Sequence, residues 1–182
     1  DVYDYFGLVR PQSVFAHCIH LTDADRQLMA KKGAAISFCP TSNLFLGSGL
    51  FNADSARSYQ VRVGLGTDVG GGTSFSLLRT LHEAYKVLQL QGQAMDALQG
   101  LYQITLGGAQ ALDLDGEVGN FAPDKFADFV VLDQAATPLI ARRIGMAETL
   151  AEKLFVMMML GDEHLVAATY VQGVRQFARD DR

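Results

Sequence analysis

Three observations lead the sequence to predict an α/β fold built on parallel strands. Up to about residue 90, strand-like apolar runs alternate with helical patterns in the order β-α-β-α-β-α, and such alternation sets parallel strands side by side through crossover helices. Two of the runs end in residues that carry chemistry, Val14-Phe15-Ala16-His17 and Val61-Arg62-Val63-Gly64-Leu65-Gly66-Thr67-Asp68. From about residue 114 the character changes to short strands with glycine turns, a small β-rich module.

The elements follow in order. Ser13–His17 reads as a buried strand. Thr22-Asp23-Ala24-Asp25 opens a helix in the manner of a capping box, with Leu28 and Met29 among its apolar positions, and Gly33 ends it. Ala34–Cys39 is a second strand, closed by Pro40. Thr41–Asn52 reads as a loop around Gly47 and Gly49, and a short helix fits Ala53–Tyr59. Val61–Thr67 is the third strand. Ser74–Leu90 has helical spacing through Leu77, Leu78, Leu81, Tyr85 and Leu88. Two further helices fit Ala94–Gln103 and Ile104–Leu112, broken near Gly107-Gly108. In the last third, Gly116–Ala122 is a turn region and Phe129–Asp133 a strand. A helix spans Arg142–Lys153. Strands Leu165–Val171 and Val174–Phe177 flank a hairpin turn at Gln172-Gly173.

Composition narrows the function. Nearly half of the 182 residues are hydrophobic, so a packed core is expected and disorder is not. The net charge of −5 leaves no basic stripe for a nucleic-acid backbone. Cys18 and Cys39 are the two cysteines, too few for a disulfide framework, so a cytoplasmic setting is expected. The longest apolar run, around Leu154–Leu160, is too short to cross a membrane. The chain opens on Asp1, and the expectation is that natural sequence precedes it.

Asp68 is the leading site residue. A carboxylate at the C-terminal end of a parallel strand, on a turn too lean to bury it, is placed to meet a metal or a substrate. The bland alternative is an aspartate that caps the turn through the amides of Gly70 to Gly72. A phosphate cradle is disfavoured: no Walker lysine follows the glycines, and Val69 stands where a dinucleotide fingerprint has its third glycine. His17 ends its own strand and would point into the same site, while His20 enters the loop beyond. His82 reads as a helix-surface or packing residue, and His164 lies in the β module; neither is a good ligand candidate.

Nucleophiles are thin. Ser42 and Ser48 lack a nucleophile elbow, and Cys18 would face away from its strand neighbour His17. A catalytic zinc takes three or more protein ligands plus a water. No His-x-His pair occurs, so Asp68 with His17 would fall one short. Either the site holds no metal or its other ligands lie upstream of Asp1.

Three segments, Ala16-His17-Cys18-Ile19-His20-Leu21, Phe38-Cys39-Pro40-Thr41-Ser42-Asn43-Leu44 and Gly64-Leu65-Gly66-Thr67-Asp68-Val69-Gly70-Gly71-Gly72, stand out together. They resemble the amidohydrolase superfamily and, within it, the guanine-deaminating branch. Thr105-Leu106-Gly107-Gly108-Ala109, Leu112, Gly119 and Ala127–Asp133 are similar to the superfamily's closing segments, although Asp124 and Lys125 depart from its usual Pro-Gly-Lys-like turn. The resemblance implies the C-terminal part of a (β/α)8 TIM-type barrel, its last three strands and helices in residues 1–113. Part of a small β-sandwich, with an intervening helical segment, would occupy 114–182.

It also implies zinc-dependent hydrolysis of guanine to xanthine and ammonia by the intact protein, and a homodimer. Asp68 would bind Zn²⁺ and collect a proton from its water, and His17 would hydrogen-bond that water. The fragment alone is expected to be inactive. Two alternatives stay open: a sister activity, such as an adenosine-derivative deaminase or a chlorohydrolase, and a non-catalytic truncated module.

Overall fold

A computed structural model describes residues 2–179. Its first sheet has three parallel strands in chain order, β1 (Val14–Ala16), β2 (Ala35–Phe38) and β3 (Arg62–Leu65). The register pairs Ala16 with Ser37 and Ser37 with Gly64, so all three strands finish at one edge of the sheet. Strand β2 is the middle rung and is nearly closed off from solvent, with Ile36 at 0 % and Phe38 at 3 % exposure.

The helices form where their caps and apolar faces agree. Helix α1 (Val2–Tyr5), which the sequence reading did not anticipate, precedes β1. Helix α2 (Asp23–Lys32) starts on the expected capping box: the Asp25 amide donates to Thr22 Oγ1 at 3.3 Å, and the Thr22 amide donates to Asp25 Oδ2 at 2.9 Å. It ends at Gly33, whose φ of 72° is the left-handed stop that glycine tolerates best. The stretch read as a loop after β2 is instead helical, α3 (Pro40–Phe45). Pro40 stands in its first turn, where a missing amide hydrogen is harmless. Helix α4 (Ala53–Ser58) then leads into β3.

Helix α5 (Leu77–Gln89) packs over this sheet through Thr80, Leu81, Ala84, Val87 and Leu88, while Leu77 lies 37 % exposed. Of the expected positions Leu77, Leu78, Leu81, Tyr85 and Leu88, Leu81 and Leu88 lie in the buried stripe, which Thr80, Ala84 and Val87 complete. Burying a side chain such as Leu81 contributes about 1.5–3 kcal/mol. Phe38 and Phe51 anchor the same core with ring centroids 4.6 Å apart. Helices α6 (Ala97–Gln103) and α7 (Leu106–Ala111) complete this half, α7 lying against β3.

The second sheet is antiparallel, in the order β4 (Phe129–Leu132), β5 (Val166–Val171) and β6 (Val174–Ala178). Gln172 and Gly173 both have positive φ, 50° and 75°, as a tight two-residue hairpin turn requires. The single helix expected over Arg142–Lys153 is two, α8 (Pro138–Gly145) and α9 (Leu150–Leu160). The break is physical: Thr149 and Glu152 form a capping box of their own, which starts a new helix after the turn at Met146. Ile140, Ile144, Val156, Met157 and Leu165 make a separate small core here. Among the described residues no helix is long and apolar enough to cross a membrane.

Candidate active site

Because the strands run parallel and in register, the residues just past their ends gather at one edge. His17 follows β1 directly, Cys39 and Pro40 follow β2, and Asp68 lies three residues beyond β3. His17 Nε2 stands 3.7 Å from Asp68 Oδ2, although 50 residues separate them in the chain. Both side chains remain accessible, at 41 % and 39 %. Sequence reasoning expected this pair to converge, and the structure brings them together.

Both residues sit in left-handed backbone, His17 at φ 65° and Asp68 at φ 47°. Non-glycine residues pay of order 1–3 kcal/mol for that conformation. In the turn after Asp68 the amide of Gly72 donates to the Asp68 carbonyl, and the amide of Gly70 donates to the Gly72 carbonyl at 3.1 Å. Those amides are therefore engaged by backbone, and the carboxylate is left facing His17 rather than capping its own turn.

Cys18 corrects one step of the sequence argument. Strand β1 ends at Ala16, and Cys18 is itself left-handed at φ 52°, so strand alternation does not govern where it points. The conclusion survives for another reason. Burial first, and then the neighbouring Cys39, push the Cys18 thiol up to about 11, so it is protonated at neutral pH and is a poor nucleophile.

The segment after β2 supplies what sequence reasoning missed. Thr41, Ser42 and Asn43 are all buried, and Asn43 Oδ1 lies 2.8 Å from His17 Nδ1. Thr41 Oγ1, Ser42 Oγ and Asn43 Nδ2 have no partner among the described residues. Three polar residues directly after the Pro40 that closes a buried strand were the available signal. A cavity of about 580 Å³ opens beside His17, lined also by Phe15, Cys18, His20, Asp25 and Ser48.

The other histidines stand apart. His82 lies on α5, where burial first and then the Lys86 charge lower its pKa. His164 bonds Asp162 at 3.0 Å, and with Glu163 they form the one group of three potential metal ligands found among the described residues. That group is solvent-facing, in the β-rich half. His17 and Asp68 together offer one imidazole nitrogen and one carboxylate oxygen, donor types that zinc takes, and two fewer than its usual four positions.

Comparisons with known proteins give the chain its relatives. The sequence pattern of the amidohydrolase family matches residues 1–175. The chain is 51 % identical over 180 residues to guanine deaminase of Escherichia coli K12, covering 99 % of this chain and 41 % of the relative. The solved E. coli guanine deaminase superposes with a TM-score of 0.97 at 50 % identity, over 99 % of this chain and 42 % of that one. A guanine deaminase from C. acetobutylicum, solved with guanine in its active site, superposes at TM-score 0.85 and 27 % identity, over 97 % of this chain and 42 % of its own. The chain thus spans about two fifths of the length of the curated relatives it matches. With the pattern matched along nearly its whole length and a mixed α/β fold to go with it, the chain belongs to the amidohydrolase family.

Proposed function

We propose that the natural protein carrying this chain is a purine aminohydrolase that converts guanine and water to xanthine and ammonia. One observation carries the reading: His17 Nε2 and Asp68 Oδ2 meet 3.7 Å apart at the C-terminal edge of a parallel sheet. That edge is where such folds place their chemistry. The 51 % identity to an E. coli guanine deaminase supports guanine as the substrate.

In this reading residues 1–113 are the last three strand–helix units of an eight-stranded barrel, and residues 114–182 belong to a small β-sandwich. Asp68 would hold Zn²⁺, whose other ligands lie outside these residues. When bound, the metal supplies a water acidic enough to be deprotonated near neutral pH. Asp68 accepts that proton and returns it to the departing amine, base first and acid second. His17 Nε2 accepts a hydrogen bond from the attacking oxygen and so aims its lone pair at the purine carbon. The partner is a small purine, the assembly a homodimer and the setting the cytoplasm.

A neighbour at TM-score 0.83 and 26 % identity is an adenosine deaminase from Xanthomonas campestris, solved with bound zinc, so adenosine is the competitor to exclude. Turnover of guanine and adenosine by the natural gene product separates the two. Guanine is expected to have the higher kcat/KM, and faster adenosine turnover would overturn the assignment.

A further inference from the structure

We propose that Asn43 is a positioning residue that fixes the tautomer and the aim of His17. The consequence for turnover rests on the deaminase reading; the contact itself does not. His17 Nδ1 and Asn43 Oδ1 are 2.8 Å apart. An amide oxygen has no hydrogen to give, so Nδ1 carries the hydrogen and donates it. In the uncharged ring this leaves Nε2 bare, and Nε2 is the atom that faces Asp68. Which nitrogen of a histidine carries the hydrogen is set by the bond the other one makes.

The surroundings show how firmly that bond is held. The His17 amide donates to the Ser37 carbonyl at 2.9 Å, which ties its backbone to β2. Asn43 is rooted as well: its amide donates to the Cys39 carbonyl at 2.9 Å, and its carbonyl accepts from the Ser48 amide at 2.9 Å. The Asn43 side chain is nearly closed to solvent, at 1 % exposure. Its Nδ2 has no partner among the described residues, whereas Oδ1 has His17. A leucine of similar shape would bury no orphan donors, so packing does not account for an amide here. The bond to His17 does. Strand β2 thus supplies the backbone anchor of His17 and helix α3, which follows it, the ring anchor, and the bare Nε2 is turned toward Asp68.

The test uses the natural gene product labelled with ¹⁵N-histidine, with His17→Gln to assign the His17 signals. Long-range ¹H–¹⁵N correlation read on the uncharged ring should find hydrogen on Nδ1 in the wild type. Asn43→Asp, which keeps an acceptor, should preserve that state, and Asn43→Leu should shift the ring toward hydrogen on Nε2. With guanine, Asn43→Leu should lower kcat about 10–100-fold with KM changed less than about threefold, and Asn43→Asp should recover part of the loss. Hydrogen on Nε2 in the wild type would overturn the proposal, as would an Asn43→Leu protein with unchanged tautomer and kcat. Should Asn43→Leu fail to fold, the wild-type tautomer decides alone. A protein with the expected tautomer but no guanine turnover would defeat the deaminase reading and leave the Asn43 assignment standing.

Discussion

Replacing Gly71 by alanine adds one methyl group between the Asp68 carboxylate and helix α3. A Cβ built there lies 2.8 Å from Ser42 Oγ, 3.0 Å from Asp68 Oδ2 and 3.5 Å from Leu46 Cδ1. Ordinary contact begins at about 3.4 Å, so the serine oxygen must retreat by about 0.6 Å and the carboxylate oxygen by about 0.4 Å. Ser42 is fully buried and has little room to yield, so much of the strain falls on Asp68. Overpacking of this kind costs typically about 1–3 kcal/mol. Reacting groups tolerate about 0.5 Å of displacement, and a full 1 Å can cost about a hundredfold in rate. A Gly71→Ala natural gene product should therefore lose about tenfold in kcat for guanine, followed by the ultraviolet change on conversion to xanthine. Its melting temperature should fall by a few degrees. Unchanged kcat and unchanged melting would refute the claim that the glycine turn holds the carboxylate in place against α3.

Three further outcomes follow from the packing and the charges. Phe51→Ala removes a ring only 2 % exposed that packs against Phe38 at a tilt of 31°, and should destabilise by about 3–5 kcal/mol in denaturant titration; a loss below about 1 kcal/mol would mean the cavity collapses freely. Hydrogen bonds from Arg62 hold the Asp113 carboxyl below its usual 3.8, and a folded pKa so depressed contributes stability that is present above 3.8 and lost as pH falls through the lower folded value. The gap in stability between wild type and Asp113→Asn should accordingly be full at neutral pH and close in acid, and a gap that widens in acid would reverse the sign. Cys18, raised to about 11, should react slowly with iodoacetamide at neutral pH and speed up toward pH 11, whereas fast neutral labelling would show a thiolate the burial argument denies.

The strand ends were legible because two signals coincide there: a short apolar run, and a polar residue that no core would choose. Hence His17 and Asp68 could be picked from sequence, and α5 from its spacing. The misreadings have particular causes. Thr41-Ser42-Asn43 looked like loop because polar residues ahead of Gly47 and Gly49 usually are; helix α3 forms because Pro40 opens it and the run is buried beneath the site. The division between α8 and α9 was written in Thr149 and Glu152, a capping box inside the stretch Arg142–Lys153 that reads as one helix. The left-handed turns at His17 and Cys18 carry no glycine to announce them. The Asn43–His17 bond spans 26 residues, so no local pattern could reveal it.

The convergence of His17 and Asp68 on one reaction is tested most directly by a double-mutant cycle on the natural gene product, with guanine turnover as the readout. Asp68→Asn and His17→Gln should each lower kcat/KM by at least about a hundredfold. The double variant should be little worse than the poorer single one, because groups that act as a unit do not add. Losses that multiply in full, or a single variant with near wild-type turnover, would mean that the two side chains do not serve the same chemical step.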